Sequence, residues 1–178
     1  MQSRTMVLVL AMSVSASVGC AAKKETVAGP VAPSQVAAPP AAPATEGGIQ
    51  TGGLHISEAI VKACGLRRYA PPPMFDYDSA ALAEQDRTVL AEVARCFSDG
   101  PLRGQGVALV GRADPRGEGE YNMALGESRA DSVRRYLGDL GVAQEKVQAT
   151  SRGEIDAVGR DEEGWAQDRR VDIELASR

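Results

Sequence analysis

The sequence predicts an α+β domain in which short apolar strands alternate with amphipathic helices, and three stretches carry that prediction. Val107-Ala108-Leu109-Val110 is an apolar run that stops at a Gly/Pro-rich turn, the pattern of a buried strand. Beyond the turn, Met123, Gly126, Ala130, Val133, Leu137 and Leu140 recur at spacings of three and four, which is one face of a helix. Near the C-terminus, Val171, Ile173 and Leu175 alternate with Asp172 and Glu174, as in a half-buried strand.

Taken from the start, residues 1–19 place Arg4 ahead of an apolar stretch from Met6 to about Val18. The stretch is too short for a spanning helix and reads as an export signal. Ser17-Val18-Gly19-Cys20 resembles a lipobox, which would make Cys20 the lipidated mature N-terminus. A cut by ordinary signal peptidase is the alternative. Several acyl chains on Cys20 would hold the protein stably on a membrane, where a single chain is marginal. By resemblance to bacterial lipoproteins, in which an Asp after the cysteine favours inner-membrane retention, Ala21 implies the outer membrane, with the domain in the periplasm. Residues 20–53 read as the lipidated cysteine followed by an Ala/Pro-rich tether with no apolar periodicity. At about 3 Å per residue in the extended limit, the tether reaches on the order of tens of Å.

Residues 54–72 read as an N-terminal helix, with Ile56, Ile60 and Cys64 spaced by four and Gly65 ending it, followed by the Pro71-Pro72-Pro73 run. With Cys20 set aside, Cys64 and Cys96 form an even pair in an exported chain and point to a disulfide. Two buried free thiols are the alternative. Residues 73–178 form the main domain. Met74 to Ser79 follows the proline run, and Asp78 or Ser79 can cap the helix that comes next. That helix would bury Leu82, Val89, Leu90, Val93 and Phe97 and turn Glu84, Asp86, Arg87 and Glu92 to water. Lys146 to Thr150 is a further strand.

Composition narrows the function. The chain has 178 residues, 43% of them hydrophobic and 4% aromatic, so a core is affordable but must be aliphatic. A net charge of −4 and a pI near 5.1 argue against nucleic acid. The single histidine, His55, excludes multi-His metal sites and reads as a surface residue between glycines. The cysteine spacing excludes a CxxC site, and the glycines at 111, 117 and 119 match neither GxGxxG nor a Walker loop. Asp114, Glu118 and Glu120 are close together on a glycine-rich loop with no distant second acid, so no catalytic constellation, metal or cofactor is expected.

The candidate site lies on the turn and the helix after it. Asp114 sits just beyond a strand end, while Asn122, Leu125 and Arg129 line one flank of the helix. A carboxylate and a guanidinium so placed can converge on one pocket, or simply pair with each other. The pattern D-P-R-G-E-G-E-Y-N-M-A-L-G-E-S-R-A-D-S-V resembles the signature of OmpA-like C-terminal domains, which include the peptidoglycan-associated lipoprotein family. Asp114, Gly117, Asn122, Leu125, Arg129, Ala130 and Val133 fall at the matching offsets, with Ala113 and Gly126 in place of the usual Thr and Ser. Met74-Phe75-Asp76-Tyr77-Asp78-Ser79 and Trp165 to Arg170 resemble the family's opening strand and ending, Asp168 standing where Asn is usual.

The resemblance covers about residues 73–175. It implies an OmpA-like β-α-β-α-β-(α)-β two-layer sandwich, a mixed sheet with helices on one face. It also implies that Asp114 and Arg129 clamp the diaminopimelate of peptidoglycan, with Asn122, Leu125, Phe75 and Asp76 nearby. A zwitterionic carbon suits the pair, since Asp accepts from the ammonium and Arg forks onto the carboxylate. Arg169 or Arg170 would approach Asp114, and Trp165 would cover the core. The expected function is a lipid-anchored link from outer membrane to wall, with envelope proteins of a Tol-Pal-like system as partners. The alternative is a periplasmic scaffold whose groove takes a protein.

Overall fold

In the computed structural model the described residues are 48–67 and 75–177. They form strands β1 (Ile49–Thr51), β2 (Leu54–Ile56), β3 (Val107–Arg112), β4 (Val147–Gly153) and β5 (Val171–Leu175). The helices are α1 (Glu58–Cys64), α2 (Glu84–Ser98), α3 (Gly119–Asp139) and α4 (Glu162–Asp168), with a short 3-10 turn before β4. The strands make one mixed sheet in the order β1-β2-β5-β3-β4. β2 runs parallel to β5 and β3 parallel to β4, whereas β3 and β5 are antiparallel.

Strand parity sets the two faces of this sheet. Leu54, Ile56, Val107, Leu109, Val171 and Ile173 share one core with Ile60 of α1, Val89, Leu90, Val93 and Phe97 of α2, and Ala130, Val133 and Leu137 of α3. The alternate residues His55, Arg112, Asp172 and Glu174 lie on the other face, as a period of two requires. Helix α3 comes very close to the sheet. A Cβ on Gly111 would stand 1.8 Å from the Gly126 carbonyl oxygen, and one on Gly126 would stand 2.3 Å from Ser151 Oγ. That contact explains the departure from Ser at 126: the side chain has no room.

Four expectations change. Residues 49–53, read as the end of the tether, form β1 and its turn, and Ile49 is buried. The Gly52-Gly53 dipeptide, taken as linker composition, is the two-residue turn that pairs Thr51 with Leu54. Ile56 belongs to β2, so the first helix starts at Glu58, and Gly65 ends it in the left-handed region at φ 63°. The described part of the expected opening strand, Phe75–Ser79, is an irregular turn, and β2 takes the place beside β5. The reason is that its carbonyls are engaged by guanidiniums: Phe75 O accepts from Arg169, and Asp76 O and Ser79 O from Arg129. Helix α2 consequently begins after Ala83, with neither Asp78 nor Ser79 as its cap, and Asp86 turns inward to 1% exposure.

Cys64 and Cys96 are joined, with Cα atoms 5.6 Å apart and a sequence separation of 32. Closing a loop of that size stabilises by about 3–4 kcal/mol in the chain-entropy model. The bridge fixes the short α1 to α2. Residues 1–47, which hold the export signal, Cys20 and most of the tether, lie outside the described residues, as do Pro71 to Pro73 and Met74. Among the described residues no helix is long and apolar enough to cross a membrane.

Candidate functional site

The pocket opens where the β3–α3 turn, the N-terminal half of α3 and the 75–79 segment meet. Tyr77, Asp78, Asp114, Arg116, Gly117, Tyr121, Asn122, Leu125 and Arg129 line it, and its cavity is about 40 Å³. Gly117 holds φ 103°, a conformation that side chains disfavour, and this lets the turn fold Arg116 back over Asp114.

Arg129 is fully buried. Its Nε donates to Ser79 O at 2.8 Å, Nη1 to Arg112 O at 2.8 Å and Nη2 to Asp76 O at 3.2 Å. The Phe75 ring packs 5.3 Å from the guanidinium carbon. These partners are neutral dipoles and a π face, and among the described residues no carboxylate lies within ion-pair distance of Arg129. Burial and then the Arg169 charge pull its pKa down to about 10, with Asp114 and Asp78 opposing. It therefore stays cationic at neutral pH.

Asp114 is 4% exposed and has two cationic partners. Arg116 donates through Nε to Oδ1 at 3.0 Å and through Nη2 to Oδ2 at 2.8 Å, while its backbone N–H closes an Asx turn on Oδ1 at 3.1 Å. Arg169 Nη1 reaches Oδ2 at 3.2 Å. Burial works against the carboxylate charge, but the hydrogen bonds from Arg116 and Arg169 outweigh it and hold the pKa below the ordinary value. Asp114 and Arg129 thus share the pocket without pairing with each other, the alternative that their spacing left open.

Asn122, 2% exposed, donates to Arg116 O at 3.0 Å and to Glu154, and so ties α3 to the turn and to the β4 end. Leu125 supplies an apolar wall. Phe75 is buried behind the pocket and contributes its ring and its carbonyl. Asp76 contributes a carbonyl to Arg129, while its exposed side chain is not part of the lining. The side chain that does line the pocket is Asp78, which accepts from the Tyr121 hydroxyl. It is the sole non-glycine residue at positive φ among the described residues, at 55°. Such strain persists where surroundings over-determine a functional position.

Of the two C-terminal arginines, Arg169 approaches Asp114, while Arg170 pairs with Asp172. Trp165 does not cover the core. Its ring stacks on Arg116 at 4.4 Å, Tyr77 stacking at the same distance. His55, expected on the surface, is half-buried 3.6 Å from Asp172, and burial holds its pKa down. Arg116, Tyr121, Asp78 and Tyr77 are pocket residues that the sequence did not mark as part of the site. The available signal was an arginine two residues after Asp114, the spacing of an Asx turn.

Residues 74–170 match the OmpA family. The chain is 36% identical over 166 residues to the peptidoglycan-associated lipoproteins of Pseudomonas aeruginosa and of Pseudomonas putida, a span covering 92% of this chain and 92% of each relative. The crystal structure of the peptidoglycan-associated lipoprotein from Burkholderia pseudomallei superposes with a TM-score of 0.54 at 38% identity, covering 57% of this chain and 86% of that one.

Proposed function

The chain belongs to the OmpA family, and on that premise we propose that it binds peptidoglycan non-covalently and ties the outer membrane to the wall. The domain is a binding module and not an enzyme. The ligand group is the diaminopimelate of the stem peptide, whose free carbon carries an ammonium and a carboxylate. The carboxylate goes to Arg129 and the ammonium to the acidic wall at Asp114. Acylated Cys20 holds the chain in the outer membrane, and the tether gives the domain its reach.

One observation carries this reading: Arg129 is a buried cation that has no carboxylate within ion-pair distance among the described residues, on the wall of a pocket it shares with Asp114. An uncompensated buried charge is costly, and a ligand carboxylate relieves that cost. Charge-assisted bonds contribute about 1.5–3 kcal/mol each, so Asp114→Ala should weaken binding to isolated sacculi by on the order of tenfold to a hundredfold. Co-sedimentation measures this, with circular dichroism on the same sample. A folded Asp114→Ala chain that pellets like wild type sinks the clamp. A wild-type chain that ignores sacculi but captures an envelope protein favours the scaffold alternative. Cys20→Ala should release the chain into the soluble periplasmic fraction with sacculus binding unchanged; retention in the membrane fraction refutes the anchor.

A further inference from the structure

The Asp114 carboxylate has no acceptor capacity left for a ligand. Two oxygens offer about four lone-pair sites, and four donors already fill them. Oδ1 takes the Arg116 backbone N–H and Nε, and Oδ2 takes Arg116 Nη2 and Arg169 Nη1. Two of the four bonds come from the Arg116 side chain, in a fork that matches the carboxylate plane. Arg169 is fastened elsewhere as well, to Phe75 O at 2.7 Å and Glu162 at 3.0 Å, and is 8% exposed in its side chain. Arg116 is 31% exposed in its side chain and sits at the mouth. The cavity left beside Arg116 is small, at about 40 Å³, room for roughly three waters.

We propose that Arg116 is a latch on the pocket: its guanidinium holds the place of the ligand ammonium on Asp114 and must swing away for the ligand to seat. This rests on the diaminopimelate reading above and adds to it how the site opens and which ligands open it. The exchange keeps charge balanced on Asp114, one cation leaving as another arrives. A simple amine offers nothing to draw the latch off. A zwitterion does, because its carboxylate neutralises Arg129 and relieves the repulsion among three clustered guanidiniums. The latch is seated between the Tyr77 and Trp165 rings, each 4.4 Å from its guanidinium carbon, with Nη1 on Glu162 at 3.2 Å. Opening therefore strips a cation from the face of Trp165, which is the single tryptophan of the chain.

That geometry supplies its own reporter. The whole chain is titrated with a soluble diaminopimelate stem tripeptide, following tryptophan emission and, separately, heat of binding. In wild type, emission should change with the same dissociation constant as the heat. In Arg116→Gln, emission should already be shifted before ligand is added and should respond little to it. Affinity should rise by at least about tenfold, because the competent state no longer has to be populated against the latch. Arg116→Lys, which keeps the charge but loses the fork and the ring sandwich, should fall between. Circular dichroism confirms that each variant is folded. Weaker binding by Arg116→Gln, or unchanged wild-type emission at saturation, overturns the latch and leaves the diaminopimelate reading standing. No heat from wild type or variant overturns both.

Discussion

Arg112 and Arg129 are both buried arginines, one at the end of β3 and one on α3, and the protein treats their charges in opposite ways. Arg112 Nε donates to Asp172 at 2.5 Å and its Nη1 to Asp156, and these carboxylates are backed by Arg170 and Arg152. Burial opposes its charge, but Asp172 and Asp156 outweigh burial and raise the pKa. Arg129 has carbonyls and a ring instead, and burial lowers its pKa. The first arginine is paired within the chain; on the reading proposed above, the second takes its anionic partner from a ligand. The difference separates a structural cation from a binding one more sharply than burial does, because the Arg112 side chain is 10% exposed and Arg129 is fully buried.

The largest test of that contrast is Arg112→Ala. Removing one partner of a buried pair costs about 3–5 kcal/mol, and here the lower end applies since Asp172 keeps Arg170 and Asp156 keeps Arg152. Thermal or urea unfolding should show this loss, while sacculus binding by the folded fraction stays at the wild-type level. A stable variant that no longer binds would reverse the assignment of the two arginines.

Asp86 sharpens the contrast from the acidic side. It too is buried and has no ion-pair partner among the described residues, and a Cβ on Gly53 would stand 3.3 Å from its Oδ2 and 2.7 Å from the Phe75 ring. Burial raises its pKa to about 6, with the backbone N–H groups of Ala83 and Gly53 opposing. A carboxyl can shed its charge near neutrality, whereas a guanidinium held at about 10 cannot. Since the folded pKa lies above the unfolded one, the folded chain binds the extra proton, and stability falls as pH rises through about 6. Asp86→Asn removes that penalty. It should be more stable than wild type at pH 7.5 by roughly 1–2 kcal/mol, with the advantage gone by about pH 4. Parallel stability curves for the two across that range would exclude an ionised Asp86.

Much of this was legible in the sequence for physical reasons. The β3 run, the α3 face and the alternation of β5 are period signals, and the structure follows them except at their ends and at one acid: Leu140 and Leu175 are exposed, and Asp172 is buried. The offsets of Asp114, Asn122, Leu125 and Arg129 likewise placed all four on one pocket. What escaped was set by partners distant in sequence. Asp86 reads as a solvent position on α2 until Gly53 and Phe75 are laid over it. Phe75–Ser79 reads as a strand until Arg129 and Arg169 take its carbonyls. Asp114 reads as a free acceptor until Arg116 folds onto it, and Trp165 reads as core until it stacks on that guanidinium.

The central claim is that Arg129 waits for a ligand carboxylate, and it can be tested without altering the protein. Wild-type chain is titrated by calorimetry with a diaminopimelate stem tripeptide and with the same peptide whose side-chain carboxylate is amidated. The account predicts that amidation weakens binding by on the order of tenfold to a hundredfold, the worth of a charge-assisted fork in a dry site. Equal affinity for the two peptides would contradict it.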